Sequence, residues 1–97
     1  MIGQNSLMTK NMDTNIQSTN KIKTRQDFVK FLNDLLEDFQ TNKESWENRD
    51  LESFLEALTR YARDIEGFYK NTNQPINADD PSWKTFADMF MGARIYE

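Results

Sequence analysis

The chain has 97 residues, with 12 Lys and Arg against 16 Asp and Glu, no His and no Cys. That length holds one domain of ordinary size. The missing residue types exclude disulfides, Cys/His zinc sites, thiol nucleophiles and imidazole bases. A net charge of −4 argues against nucleic-acid or anionic-membrane binding, which needs excess Lys and Arg to neutralise phosphate, and no apolar run approaches the ~20 residues of a membrane span.

Composition changes along the chain. Residues 1–21 carry scattered apolar side chains (Met1, Ile2, Leu7, Met8, Met12, Ile16), no aromatics, and many Asn, Gln, Ser and Thr. Such a segment buries too little surface to offset its ordering entropy, so a disordered leader is expected over 1–21. It lacks the basic start and apolar stretch of a secretory signal. All the Phe, Trp and Tyr fall in 22–97, the expected single domain.

A first helix is expected from Thr24, where Asp27 three residues on completes a relaxed capping box. Phe28, Val29, Leu32, Leu35, Leu36 and Phe39 recur at helical spacing and share one face. The pattern stops near Gln40. The segment Glu44-Ser45-Trp46-Glu47 adds a short turn, with Trp46 as a lid over one end of the core.

A second helix runs from about Leu51 to Tyr69, with Asp50 or Asn48 as its N-cap. Leu51, Phe54, Leu55, Leu58, Tyr61, Ala62, Ile65 and Tyr69 form its apolar stripe. Glu52, Glu56, Arg60 and Arg63 face away, with Glu56 and Arg60 spaced as an ion pair. Gly67 allows an earlier end. Asn71 to Asp80 reads as a loop. In the third helix, Asp80 is the expected cap, Pro81 sits in the first turn, and Trp83 opens a stripe continued by Phe86, Ala87, Met89, Phe90, Ala93 and Tyr96. No strand pattern occurs. The expectation is an all-α fold, a small bundle of three main helices.

Several motifs in order, Trp46-Glu47-Asn48, Phe54-Leu55-Glu56-Ala57-Leu58, Asp64-Ile65 with Gly67-Phe68-Tyr69 and Asn71, Pro81-Ser82-Trp83 with Phe86-Ala87, and the terminal Tyr96-Glu97, resemble a bacterial family of small domains of unknown function. The resemblance covers about 22–97. It implies a bacterial, cytoplasmic protein in which Trp46, Trp83 and Tyr96 belong to one shared architecture. It supplies no catalytic residues. Phe68 departs from the Tyr frequent in that family.

Four features bear on function. The span from Asp34 to Glu56 is strongly acidic, and on a helical wheel Asp27, Asp34 and Asp38 lie within about 40° of one another. Phe31 sits at the edge of that strip. An aromatic anchor among carboxylates suits a basic protein surface, so Phe31, Asp34, Asp38, Glu44 and Glu47 are the expected partner contacts; the plainer reading is a solvated face that aids solubility. Inhibition of, or immunity against, a basic protein fits that character by analogy alone. Asp64 lies on the shoulder of the second helix among aromatics, where it either has a raised pKa or accepts a tyrosine hydrogen bond. It is the best candidate for a carboxylate enzyme, but no second acid converges on it, so no catalytic activity is expected. Trp46, Trp83, Tyr69 and Tyr96 either line a pocket or fill the core. Asp79 and Asp80 with Asp88 lack the spacing of a calcium loop, so neither metal nor cofactor is expected. Met91 and Ile95 form a self-association seam if the third helix continues to Ile95, and none if it breaks at Gly92.

Overall fold

The computed structural model describes Ile16 and residues 18–97. The expectation of disorder for 1–15 lies outside the described residues. Three helices are present, α1 (Arg25–Thr41), α2 (Leu51–Asn71) and α3 (Trp83–Ala93), with 3-10 turns at Thr19–Lys21 and Lys43–Ser45 and no strand among the described residues. The fold is all-α.

The helix starts are set by local chemistry. Thr24 accepts from the Asp27 N–H at 3.1 Å, while the Asp27 carboxylate accepts from the Thr24 N–H at 3.1 Å and the Lys23 N–H at 2.9 Å. These are donors that a helix end would otherwise leave unpaired. Asp50 caps α2 by accepting from the Ser53 N–H at 2.8 Å. The backbone N–H groups of Lys23 and Thr24 hold Asp27 below the usual carboxylate range, and Ser53 does the same for Asp50. Both caps are therefore intact above that range and are lost as the pH falls through their lowered values.

Two expectations about helix ends are corrected. Ser82, not Asp80, caps α3, its hydroxyl accepting from the Thr85 N–H at 3.0 Å, so Pro81 stands outside the helix. Helix α2 does not fray at Gly67. It runs to Asn71 and closes with Asn73 at φ 57°, the Asn73 N–H donating to the Lys70 carbonyl at 3.2 Å and the Gln74 N–H to the Tyr69 carbonyl at 2.9 Å. That is a Schellman closure, with Asn taking the left-handed position that glycine more often fills.

Helix α3 is the central element. Both α1 and α2 pack on it, α2 most extensively, and they scarcely meet each other. A chain of rings joins the three helices: Trp83 to Phe28 (5.4 Å between centroids), Phe28 to Phe90 (6.1 Å), Phe90 to Phe54 (6.2 Å), Phe54 to Trp46 (5.9 Å) and Trp46 to Phe39 (5.0 Å). Favourable pairs of this kind contribute about 0.5–1.5 kcal/mol each beyond their buried area. A second set, Tyr96, Tyr61, Phe68 and Tyr69, runs along the far half of α2. Trp46 is buried, as a lid must be.

The packed body begins before Ile22. Ile22 itself is buried, Ile16 packs against the core cluster, and the Thr19–Lys21 turn rests on α3. The expected leader boundary at residue 21 is therefore corrected, because this segment covers Phe31 and the flank of α3.

The two helical glycines differ in surroundings. A Cβ at Gly92 would collide with the Tyr61 ring, whereas one at Gly67 would meet nothing within 4 Å. Gly67→Ala is expected to stabilise the domain by about 0.5–1 kcal/mol through helix propensity. Gly92→Ala is expected to cost roughly 1–3 kcal/mol, since the ring is wedged between Phe68 and Tyr96 and has little room to yield. Thermal melts of the two variants should move in opposite directions.

Candidate protein-docking groove

The sequence-predicted contact residues do not form one patch. Phe31 is 3% exposed and Asp38 4% exposed, so both belong to the interior. Phe31 is covered by the N-terminal segment, sharing a small indentation with Lys21, Ile22, Asp27, Lys30 and Asp34. Asp34 pairs with Lys30 at 3.0 Å on the surface. Glu44 and Glu47 are exposed, beyond the far end of α1. The wheel placed Phe31 and Asp38 correctly on their flank of α1. It does not show that other parts of the chain close over that flank.

Asp38 instead organises the interior. Its Oδ2 accepts from the Trp46 indole N–H at 2.8 Å and pairs with the Arg94 guanidinium at 3.4 Å. Arg94 also lies over the Trp46 ring at 5.9 Å and donates to the Met91 carbonyl at 3.0 Å. The Trp46-Glu47-Asn48 segment then ties down the end of α3. The backbone N–H groups of Glu47 and Asn48 both donate to the Arg94 carbonyl (2.9 and 3.0 Å), and the Asn48 amide donates to the carbonyls of Ala93 and Tyr96, each at 2.9 Å. A helix leaves its last carbonyls unpaired, and Asn48 satisfies them from outside.

Asp64 accepts a hydrogen bond from the Tyr96 hydroxyl at 2.6 Å and pairs with Arg63 at 3.2 Å. Of the two behaviours expected of Asp64, the tyrosine hydrogen bond is observed and the raised pKa is not. Tyr96, then Arg63, holds the carboxylate below its ordinary range, and Tyr96 is raised in turn. Arg60 does not pair with Glu56; its Nε is buried without a partner. Tyr61 is pushed up to about 12 by burial, with smaller contributions from the charges of Asp88 and Tyr96. Asp88 is buried between the Tyr69 hydroxyl and the Lys84 ammonium, each at 2.6 Å. Burial, then the Asp88 contact, pushes Tyr69 well above the usual phenol range. Asp88 therefore does not join Asp79 and Asp80, and no group of three acidic side chains among the described residues is placed to hold a metal ion. Trp83, Tyr69 and Tyr96 pack within the aromatic networks rather than around a pocket. Helix α3 ends at Ala93; Met91 packs inward and Ile95 is exposed, so the two do not form a seam. No helix among the described residues is long and apolar enough to cross a membrane.

The geometry converges elsewhere. Because α1 and α2 meet α3 but scarcely each other, a groove of about 300 Å³ opens between them. Leu32, Leu36 and Phe39 form one wall, Leu51 and Phe54 the other, with Trp46 and Phe90 also lining it. The stripes expected to be buried are in fact partly open. Leu36 is 55% exposed, Leu51 73%, Leu55 49% and Val29 47%. The polar lining is Asn48, Arg49 and Asp50, and each is already engaged. Asn48 holds the end of α3, Arg49 donates to the Trp46 and Glu44 carbonyls, and Asp50 caps α2. The span from Glu44 to Glu56 carries the exposed carboxylates Glu44, Glu47, Asp50, Glu52 and Glu56 against the single cation Arg49. Lys43 lies over the Phe39 ring at 4.9 Å at the other wall.

Sequence reasoning assigned Leu32, Leu36, Leu51 and Leu55 to the core and so missed them as surface. One signal was present. From Phe31 round to Val29 the apolar positions of α1 span about 160° of the wheel, wider than one helical neighbour covers.

Residues 24–97 match the model of a family of unknown function, DUF7660. The chain belongs to this family. No curated protein and no solved structure matches it. The family match begins at the cap of α1, so Ile16 and Ile22 of this DUF7660 member pack on the core from outside the matched span.

Removing Asp38 leaves the Trp46 N–H and Arg94 without their shared acceptor. Asp38→Ala is expected to cost roughly 3–5 kcal/mol, and Trp46→Phe, which keeps the ring and loses the N–H, about 1–3 kcal/mol, both read by chemical denaturation. Tyr96→Phe should return Asp64 upward toward the ordinary carboxylate value, a shift measurable by NMR titration of its side-chain carboxyl carbon. In the native chain that contact is intact above the ordinary carboxylate range and fails as the pH falls through the lowered pKa. On the alkaline side it is lost as the pH rises through the raised tyrosine value.

Proposed function

We propose that this domain is a protein-interaction module that docks a basic partner in the groove between α1 and α2. One observation carries the reading: two helices present exposed leucines to each other across an apolar gap that nothing in the described chain fills. Contiguous exposed apolar surface rimmed by polar groups is characteristic of interaction sites. The carboxylates of Glu44, Glu47, Asp50, Glu52 and Glu56 supply the complementary field for a cationic partner, steering its approach, while the leucines supply the contact. Binding by an inhibitor or immunity-type protein would use the same surface.

A second copy fits less well, because it would bring two acidic rims together. A catalytic role for Asp64 fits less well again, since its lowered pKa and its bonds to Tyr96 and Arg63 do not leave it poised to exchange protons.

Leu36→Gln and Leu51→Gln, combined, alter side chains that are largely solvated and should leave the circular dichroism and melting temperature nearly unchanged. A basic protein from the native host that binds the wild-type chain should be lost from the double variant and kept by Glu66→Gln. In the reconstituted complex, hydrogen-exchange protection should appear around residues 32–39 and 51–55. Equal recovery by wild type and double variant would overturn the reading, as would concentration-dependent self-association that the same substitutions abolish.

A further inference from the structure

The observations also constrain the shape of the occupant. Resting on the docking reading, we propose that the groove takes an amphipathic, basic α-helix, which completes the domain as the fourth member of a helical bundle.

An extended peptide laid in an apolar groove must find partners for its own N–H and C=O groups, or forgo them at the cost of burying unpaired polar atoms. Here both walls are α-helices whose backbone groups bond internally. The three polar side chains in the lining are already committed, Asn48 to the end of α3, Arg49 to the Trp46 and Glu44 carbonyls, and Asp50 to the Ser53 N–H. These three are sequence neighbours at one end, and the rest of the lining is Leu, Phe and Trp, which offer an extended main chain nothing to pair with. A helix needs no such partners, because it satisfies its backbone itself.

Length gives the spacing. Along α1 the wall runs from Leu32 to Phe39, seven residues or about 10.5 Å of helix rise. A helix lying alongside therefore presents about two turns, with apolar side chains at i, i+3 or i+4, and i+7, the pattern of helix-in-groove recognition. Those anchors fill the gap over Trp46, Phe54 and Phe90. The flanking positions of the incoming helix meet Asp50, the carboxylate of the lining, within the field of the exposed acids around it in the chain, so they carry Lys or Arg.

The test uses two synthetic peptides of about 14 residues, each built from Leu and Lys in equal composition and charge. One has Leu at helical spacing, the other has Leu and Lys alternating at strand spacing. Binding to the full chain is followed by Trp46 fluorescence in a Trp83→Phe background and by amide chemical shifts. The helical peptide is expected to bind at least tenfold more tightly than the alternating one and to shift residues 32–39 and 51–55. Leu36→Gln and Leu51→Gln should each weaken it at least tenfold, whereas Glu66→Gln should not. Equal affinity for the two peptides, no binding of the helical one, or shifts lying away from the groove would overturn the inference. If a natural partner is nonetheless lost from the double variant, the groove reading stands and only the helical occupant is rejected. If neither peptides nor partner respond to the groove substitutions, both are rejected.

Discussion

A carboxylate without water around it is costly unless hydrogen bonds and opposite charge surround it, and Asp38 is such a group. One oxygen takes the Trp46 indole N–H and faces Arg94, which joins the end of α1, the connection to α2 and the end of α3 at a single point. The neighbouring hydrogen bonds extend the same junction. Glu47 and Asn48 hold the Arg94 carbonyl, and the Asn48 amide takes up those of Ala93 and Tyr96. Apolar packing is largely indifferent to small shifts in direction. A buried acceptor with two donors from distant parts of the chain is not, so this junction fixes where Trp46 lies and with it one side of the groove.

The groove follows from the arrangement of the helices. With α3 in the middle, α1 and α2 each bury one flank on it, and the leucines on their remaining apolar surface face across a gap. The other end of α2 is closed differently. There, the α2–α3 approach tolerates only glycine at position 92, beneath the Tyr61 ring, and Asp88 links Tyr69 to Lys84. The domain is thus tightly specified on the α2–α3 side and open between α1 and α2.

What the sequence revealed, and what it concealed, divides by range. The capping box at Thr24, the cap at Asp50 and the three helical periods depend on neighbours within a turn, and they appear in the structure. Ser82 displaced Asp80 as the cap of α3 although both residues suit the role, because composition alone does not choose between two adequate caps. Phe31 and Asp38 were misread as surface because their covering groups come from elsewhere in the chain, Ile22 before them and Trp46 and Arg94 after. Leu32, Leu36, Leu51 and Leu55 were misread in the opposite sense. A wheel reports that an arc is apolar, but not which part of it a neighbouring helix reaches. The Asp64–Tyr96 contact was foreseen as one of two options; choosing between them required knowing that α3 stops at Ala93 and lets Tyr96 turn back.

The acidic character of the chain keeps a role under this reading, though not the one first assigned to it. Charges on a solvated face contribute little to affinity one by one, since water and salt screen them. Their effect is on encounter and on the choice of partner. Contact energy has to come from apolar area, and the leucines with Trp46, Phe54 and Phe90 are where this domain has it available. One end of the lining is also held in place before any partner arrives, because Trp46, Asn48, Arg49 and Asp50 are fixed by bonds within the domain. A surface ordered in advance loses less entropy on binding. The cost of ordering therefore falls on the partner, and a helix-forming segment bears it most lightly, since its backbone finds its own hydrogen bonds as it docks.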